Sequence, residues 1–217
     1  MQIAIPLFDK ITVLDAVGPY EILSRVPGYE VIFGGAEKRA YISDNGMLRL
    51  NADATLDEVP TPEILLVPGG YGVFPEMEGP IVPWIDKAHK TSTWTTSVCT
   101  GSLLLGHAGV LDGLTATTHW YWLDRLRDYG AEPTGQRVVE QGKVVTAAGV
   151  SSGIDMALTL VARMTNDEIA QAIQLSVEYD PQPPFDAGAP EKAPASVLEL
   201  VRAAIAQRDP SSAARAA

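Results

Sequence analysis

One pattern restricts the fold of this chain more than any other: short apolar runs of strand character alternate with stretches of helix character. Ile3 to Phe8, Tyr29 to Phe33, Glu63 to Val67, Thr93 to Val98 and Lys143 to Ala147 are brief runs rich in Val, Ile, Leu, Phe and Thr. Runs of this kind, bounded by turn residues, read as buried strands. Between them lie helix patterns at Tyr20 to Leu23 (opened by Gly18-Pro19), Pro80 to Lys90, Ser102 to Ala108, Trp120 to Tyr129 and Ser151 to Met164. Parallel strands need a crossover, and a helix supplies it. The expected fold is therefore α/β, a mostly parallel sheet with helices on both faces. Ligands of such sheets bind beyond the carboxyl ends of the strands.

The remaining segments fill in this map. Asp9 to Ala16 reads as a loop. Asp44-Asn45-Gly46 and Gln141-Gly142 are hairpin turns, and Leu114 to Thr118 is a short strand. Thr165-Asn166-Asp167-Glu168 has the spacing of a capping box before a helix to Val177. Five prolines between Asp180 and Pro194 argue against regular structure there. Ala195 to Gln207 reads as a last amphipathic helix. The expectation is one domain over residues 1–208, with an irregular arm at 180–194, a C-terminal helix at 195–208 and a disordered tail at 209–217.

Charge narrows the partners. Asp and Glu total 27 against 16 Lys and Arg, a formal net charge of -11. Such a chain repels phosphates, so neither nucleic acid nor an anionic membrane surface is an expected partner. No run approaches the ~20 apolar residues of a membrane span. The start of the chain lacks the features of a signal peptide. A single cysteine excludes an internal disulfide and fits a reducing compartment, so a cytoplasmic protein is expected.

That cysteine, Cys99, stands between the strand Thr93 to Val98 and the helix that begins near Ser102. A nucleophile on a sharp strand-to-helix turn is lifted above the sheet edge, and Gly101 and Ser102 are small enough to let the turn close. Free N–H groups at the helix start favour thiolate. Packing alone is the ordinary role of a lone cysteine. Two further loops reach the same edge. Pro68-Gly69-Gly70 leaves backbone N–H groups that, with that of Thr100, suit an oxyanion hole. Asp15 supplies a carboxylate able to hold a thiol or move its proton, although a helix N-cap is its ordinary role. Glu21 reads as a solvated helix residue. His119 is a candidate base or pocket residue; His89 and His107 read as plain helix residues. No Cys, His or carboxylate set has metal-site spacing, and the glycine-rich nucleotide motifs are absent, so no metal and no cofactor are expected.

Taken together, Leu14-Asp15-Ala16-Val17-Gly18-Pro19-Tyr20-Glu21-Ile22-Leu23, Leu65-Leu66-Val67-Pro68-Gly69-Gly70 and Ser97-Val98-Cys99-Thr100-Gly101-Ser102 resemble the DJ-1/PfpI superfamily. Thr115-Ala116-Thr117-Thr118-His119-Trp120 and Val145-Thr146-Ala147-Ala148-Gly149 extend the likeness across roughly residues 1 to 180. The resemblance implies a flavodoxin-like sandwich and a homodimer. Asp15, Thr100 and the arm Glu178 to Gly188 look most like the isonitrile hydratase group. That group implies Cys99, Asp15 and Thr100 as catalytic residues, with Gly69, Gly70, His119 and Gly149 around the substrate, a small electrophile. The implied reaction is hydration of an isonitrile to an N-substituted formamide through a covalent thioimidate. Thr100 departs from the PfpI-type peptidases, which resemble this chain but carry histidine after the cysteine. The late His-x-Glu pair of glutamine amidotransferases is absent. The resemblance leaves two other readings open: a glyoxalase-like enzyme acting on small dicarbonyls, and a cysteine oxidation sensor or ligand-binding regulator without catalysis.

Overall fold

The computed structural model describes residues 1–209, and the tail expected beyond Asp209 lies outside them. Two compact units divide between Val177 and Glu178, within the span read from sequence as one domain. The first holds a seven-stranded sheet. Its strands are β1 (Gln2–Leu7), β2 (Glu30–Gly35), β5 (Ala54–Thr55), β6 (Ile64–Val67), β7 (Trp94–Val98), β10 (Val138–Gln141) and β11 (Val144–Ala147). Their order is β10-β11-β7-β6-β1-β2-β5. Every pairing is parallel except that of β10 with β11. That exception is the Gln141-Gly142 hairpin, whose turn glycine has φ +60°. A second hairpin pairs β3 (Ala40–Ile42) with β4 (Arg49–Asn51) around Asp44-Asn45-Gly46. A short parallel pair joins β8 (Thr115–Ala116) to β9 (Glu132–Pro133).

β1 and β6 are buried along almost their whole length, as strands covered on both faces must be. One group of helices comprises α1 (Val13–Leu23), α5 (Ser152–Met164) and α6 (Asp167–Ser176), which pack in that order. A second comprises α2 (Val73–Glu76), α3 (Ile81–Thr91) and α4 (Gly101–His107), with a 3-10 segment over Trp120–Tyr129 beside α4. The chain leaves β1 toward β2 on one side and later returns to β6 on the other. This switch point opens a crevice at the carboxyl ends of β1 and β6.

Three expectations change. Residues Asp9 to Ala16 are not all loop: α1 begins at Val13, and Pro19 lies inside it rather than at its start. Helix packing overrides the proline signal, and Gly18 permits it, because a Cβ there would lie 3.2 Å from Ile154 in α5. The cap of α6 is Asn166, whose side chain accepts from the Ile169 N–H at 3.0 Å; the capping box read at Thr165 is absent. The helix read at Trp120 to Tyr129 has 3-10 winding and closes on Gly130 in the left-handed region.

The second unit, described by itself, is an irregular arm from Glu178 followed by α7 (Ala195–Arg208). Within the arm Lys192 pairs with Asp186 at 2.9 Å.

Candidate active site

Four segments meet at the carboxyl ends of β1, β6, β7 and β11. Cys99 leaves β7 with φ +54°, a left-handed backbone that costs a non-glycine residue about 1–3 kcal/mol and clusters at functional sites. The turn is held on several sides. Cys99 N–H donates to Ala147 and Ala148 carbonyls at 3.1 and 2.8 Å. Its own carbonyl accepts from Thr118 Oγ1 at 2.7 Å and Ser102 Oγ at 3.1 Å. Gly101 lets α4 start at once, since a Cβ there would sit 2.1 Å from the Val67 carbonyl.

Asp15 stands in the first turn of α1 and is completely buried. It is not the cap of that helix, a position that Thr12 holds. Its Oδ2 accepts from Gly69 N–H at 3.0 Å. Its Oδ1 is buried with no hydrogen-bond partner among the described residues, and the neighbouring Cys99 thiol acts on this carboxyl to lower its pKa. Burial drives the Asp15 pKa well up, and the charge of Asp44 adds to that rise. Asp44 is anchored at the same helix start, where its Oδ2 accepts from Thr12 Oγ1 at 2.9 Å.

The Cys99 thiol, 4% exposed, is also pushed well above its usual range, first by burial and then by the Asp15 charge. The N–H groups of Thr100 and Val150 and the Thr100 hydroxyl act in the opposite sense. The expectation that the helix start alone would make Cys99 a thiolate is therefore corrected. Desolvation outweighs the backbone dipoles and disfavours the charged form of each group.

The expected oxyanion hole also changes. Gly69 N–H is occupied by Asp15, and Gly70 N–H donates to Thr100 Oγ1 at 2.9 Å. These amides position the carboxyl and the hydroxyl and are not free for substrate. Gly70 has φ +130°, and a Cβ on it would lie 2.4 Å from the Lys10 carbonyl. Residue-type reasoning missed Val150, because a backbone amide brought in from the end of β11 leaves no mark in the side-chain pattern.

His119 lies beside the site, and burial makes it a weak base. Burial lowers its pKa to about 4, so it is neutral near pH 7. Its Nδ1 accepts from Tyr121 N–H at 3.3 Å. Its ring covers Gly149, where a Cβ would come within 3.0 Å of Cδ2. Glu21 faces solvent and pairs with Arg25 at 2.6 Å. His89 bonds Thr95 at 2.8 Å, and His107 packs on Tyr129, both outside these four segments. Among the described residues no group of three or more His, Cys, Asp or Glu is placed to hold a metal ion. No helix among them is long and apolar enough to cross a membrane.

The sequence model of the DJ-1/PfpI family matches residues 1–163. This chain belongs to the DJ-1/PfpI family. It is 40% identical over 203 residues to an isonitrile hydratase from Pseudomonas putida, spanning 93% of this chain and 89% of that protein. A ThiJ/PfpI family protein from Pseudomonas syringae, known from its crystal structure, superposes with a TM-score of 0.92 at 34% identity. That match covers 96% of this chain and 88% of the other. A glutathione-independent glyoxalase from Caenorhabditis elegans is 26% identical over 145 residues, 65% of this chain and 76% of the glyoxalase. The DJ-1/PfpI match reaches from β1 into α5 and so includes Asp15, Gly69, Gly70, Cys99, Thr100, His119 and Gly149.

Proposed function

We propose that this protein hydrates isonitriles to N-substituted formamides, with Cys99 as nucleophile and Asp15 as the group that moves the proton. The observation that carries this reading is the buried Cys99–Asp15 pair, in which burial disfavours the charged form of each group. The similarity to the Pseudomonas putida isonitrile hydratase supports it.

The terminal carbon of R–N≡C must gain both a nucleophile and a proton, and this pair offers both. The thiol proton passes to Asp15 as Cys99 Sγ bonds to that carbon. Asp15 returns the proton to the same carbon, which gives the thioimidate R–N=CH–S. Water then adds to the carbon, and one of its protons goes to nitrogen. The C–S bond breaks, the remaining hydroxyl proton returns through Asp15 to sulfur, and R–NH–CHO leaves. This is covalent catalysis by a thiol with an adjacent proton carrier. Burial keeps bulk water from competing for the proton that passes between them. Thr100, bonded to the Gly70 amide and carbonyl, fixes the turn beside the sulfur.

The test is direct. Phenyl and cyclohexyl isonitriles are mixed with the protein and formamide is followed by NMR, with Cys99→Ala in parallel. Formamide from the wild type alone supports the reading, and none from either substrate removes it. The similarity to the nematode glyoxalase favours a second reading, conversion of small dicarbonyls, for which methylglyoxal is the probe. Asp15 is one methylene shorter than the glutamate that chemistry is associated with in the superfamily. A homodimer belongs to the first reading, and light scattering after size exclusion tests it.

A further inference from the structure

A cluster of rings is linked to the segments that hold the Cys99 turn, and one polar atom within it has no partner among the described residues. Trp122 is at its centre. The centroids of Tyr121, His119, Tyr71 and Phe74 lie 5.0, 5.2, 5.9 and 6.0 Å from it. The cluster is tied to the nucleophile at three points. Tyr71 directly follows Gly70, whose amide holds Thr100. Thr118, which binds the Cys99 carbonyl, directly precedes His119. His119 covers Gly149, the residue before the Val150 amide that acts on the sulfur.

Burial is uneven across this cluster. Tyr71, Phe74, His119 and Tyr121 are only partly buried, whereas Trp122 is 7% exposed. Trp122 Nε1 is buried and has no hydrogen-bond partner among the described residues. An indole N–H can only donate, and leaving one buried and unpaired is costly, so such groups normally have partners. An acceptor from outside the chain resolves this where the partly exposed rings beside the indole give way to admit it.

We infer that these rings form the subsite for the substituent on the isonitrile nitrogen. They take a planar aryl group that carries a hydrogen-bond acceptor, and Trp122 Nε1–H is the donor that selects it. The inference rests on the hydratase reading for the identity of the substrate, but not for the shape and polarity of the subsite. Aromatic faces and edges suit a flat aryl ring. A site built to donate one hydrogen bond discriminates against the analogue that lacks the acceptor.

The test compares 4-acetylphenyl isonitrile with phenyl isonitrile. In the wild type kcat/KM is expected to favour the acetyl compound at least fivefold. Trp122→Phe, which keeps a ring and removes the N–H, is expected to reduce that ratio about tenfold. A wild-type ratio near one, or a ratio within twofold of wild type in Trp122→Phe, overturns the inference. Binding by calorimetry to Cys99→Ala gives a readout without turnover. N-(4-acetylphenyl)formamide should bind more tightly than N-phenylformamide, and equal affinities overturn the subsite whether or not Trp122→Phe folds. If the wild type hydrates no isonitrile, the proposed reaction fails while the formamide pair still decides the subsite.

Discussion

Gly69→Ala is the cleanest perturbation of the site, because the glycine backbone is not in the left-handed region and the effect is steric alone. A Cβ at this position would lie 2.6 Å from Thr100 N, 2.7 Å from Thr100 Oγ1 and 2.9 Å from Asp15 Oδ2. Ordinary contact begins at 3.4 Å, so these three atoms must retreat by about 0.5–0.8 Å. All three belong to the groups that hold or pair with Cys99. A misplacement of about 1 Å can lower a rate about 100-fold, so a loss of about 10- to 100-fold in kcat is expected. Overpacking of this kind costs about 1–3 kcal/mol of stability, and about 2–4 °C of Tm per kcal/mol for a chain of this size. Gly135→Ala is the control, since nothing lies within 4 Å of a Cβ there and its φ is unremarkable. The assay pairs formamide production with the rate of Cys99 alkylation by iodoacetamide. Turnover within threefold of wild type, with alkylation unchanged, refutes the argument that Gly69 keeps Asp15 and Thr100 in register with the thiol.

Further outcomes follow from the same geometry. Asp15→Asn retains an oxygen for the Gly69 amide but cannot carry a proton, so turnover should fall ~100- to 10,000-fold while circular dichroism stays native; activity within a few-fold of wild type removes Asp15 from the mechanism. Cys99 is raised above its ordinary value of 9.0, so its contribution to stability is fully present below pH 9 and is lost as pH rises through the folded value. Denaturant midpoints should therefore fall more steeply on the alkaline side in wild type than in Cys99→Ala, and parallel curves would contradict the raised pKa. Asp44→Asn keeps an acceptor for Thr12 but removes a charge that raises Asp15. The acid limb of kcat/KM should move to lower pH, and an unmoved limb disconnects Asp44 from the pair.

Much of the frame was legible because strand and helix periodicity are local properties. Ile3 to Phe8, Glu63 to Val67 and Thr93 to Val98 stand near β1, β6 and β7, and the two Gly-containing turns form hairpins. Local signals failed where packing intervened. Pro19 read as a helix start, yet α1 begins six residues earlier because its face closes on α5 through Gly18. Asn166 rather than Thr165 caps α6, a choice between adjacent residues that spacing does not make.

The sequence by itself determined the chemical inventory: one thiol at a strand end, an acidic residue near the first crossover, and glycines that free the turns between them. Only the tertiary structure decided what those groups do. Desolvation depends on every atom packed around a site, and it raised both Cys99 and Asp15 where the helix start alone argued for a thiolate. Hydrogen bonds that link residues far apart in the chain gave the Gly69 and Gly70 amides to Asp15 and Thr100, and brought Val150 to the sulfur. The same packing lowered the His119 pKa to about 4. Composition and spacing carry no information on burial or on which distant amide arrives beside a side chain, because both depend on how β1, β6, β7 and β11 are ordered in the sheet.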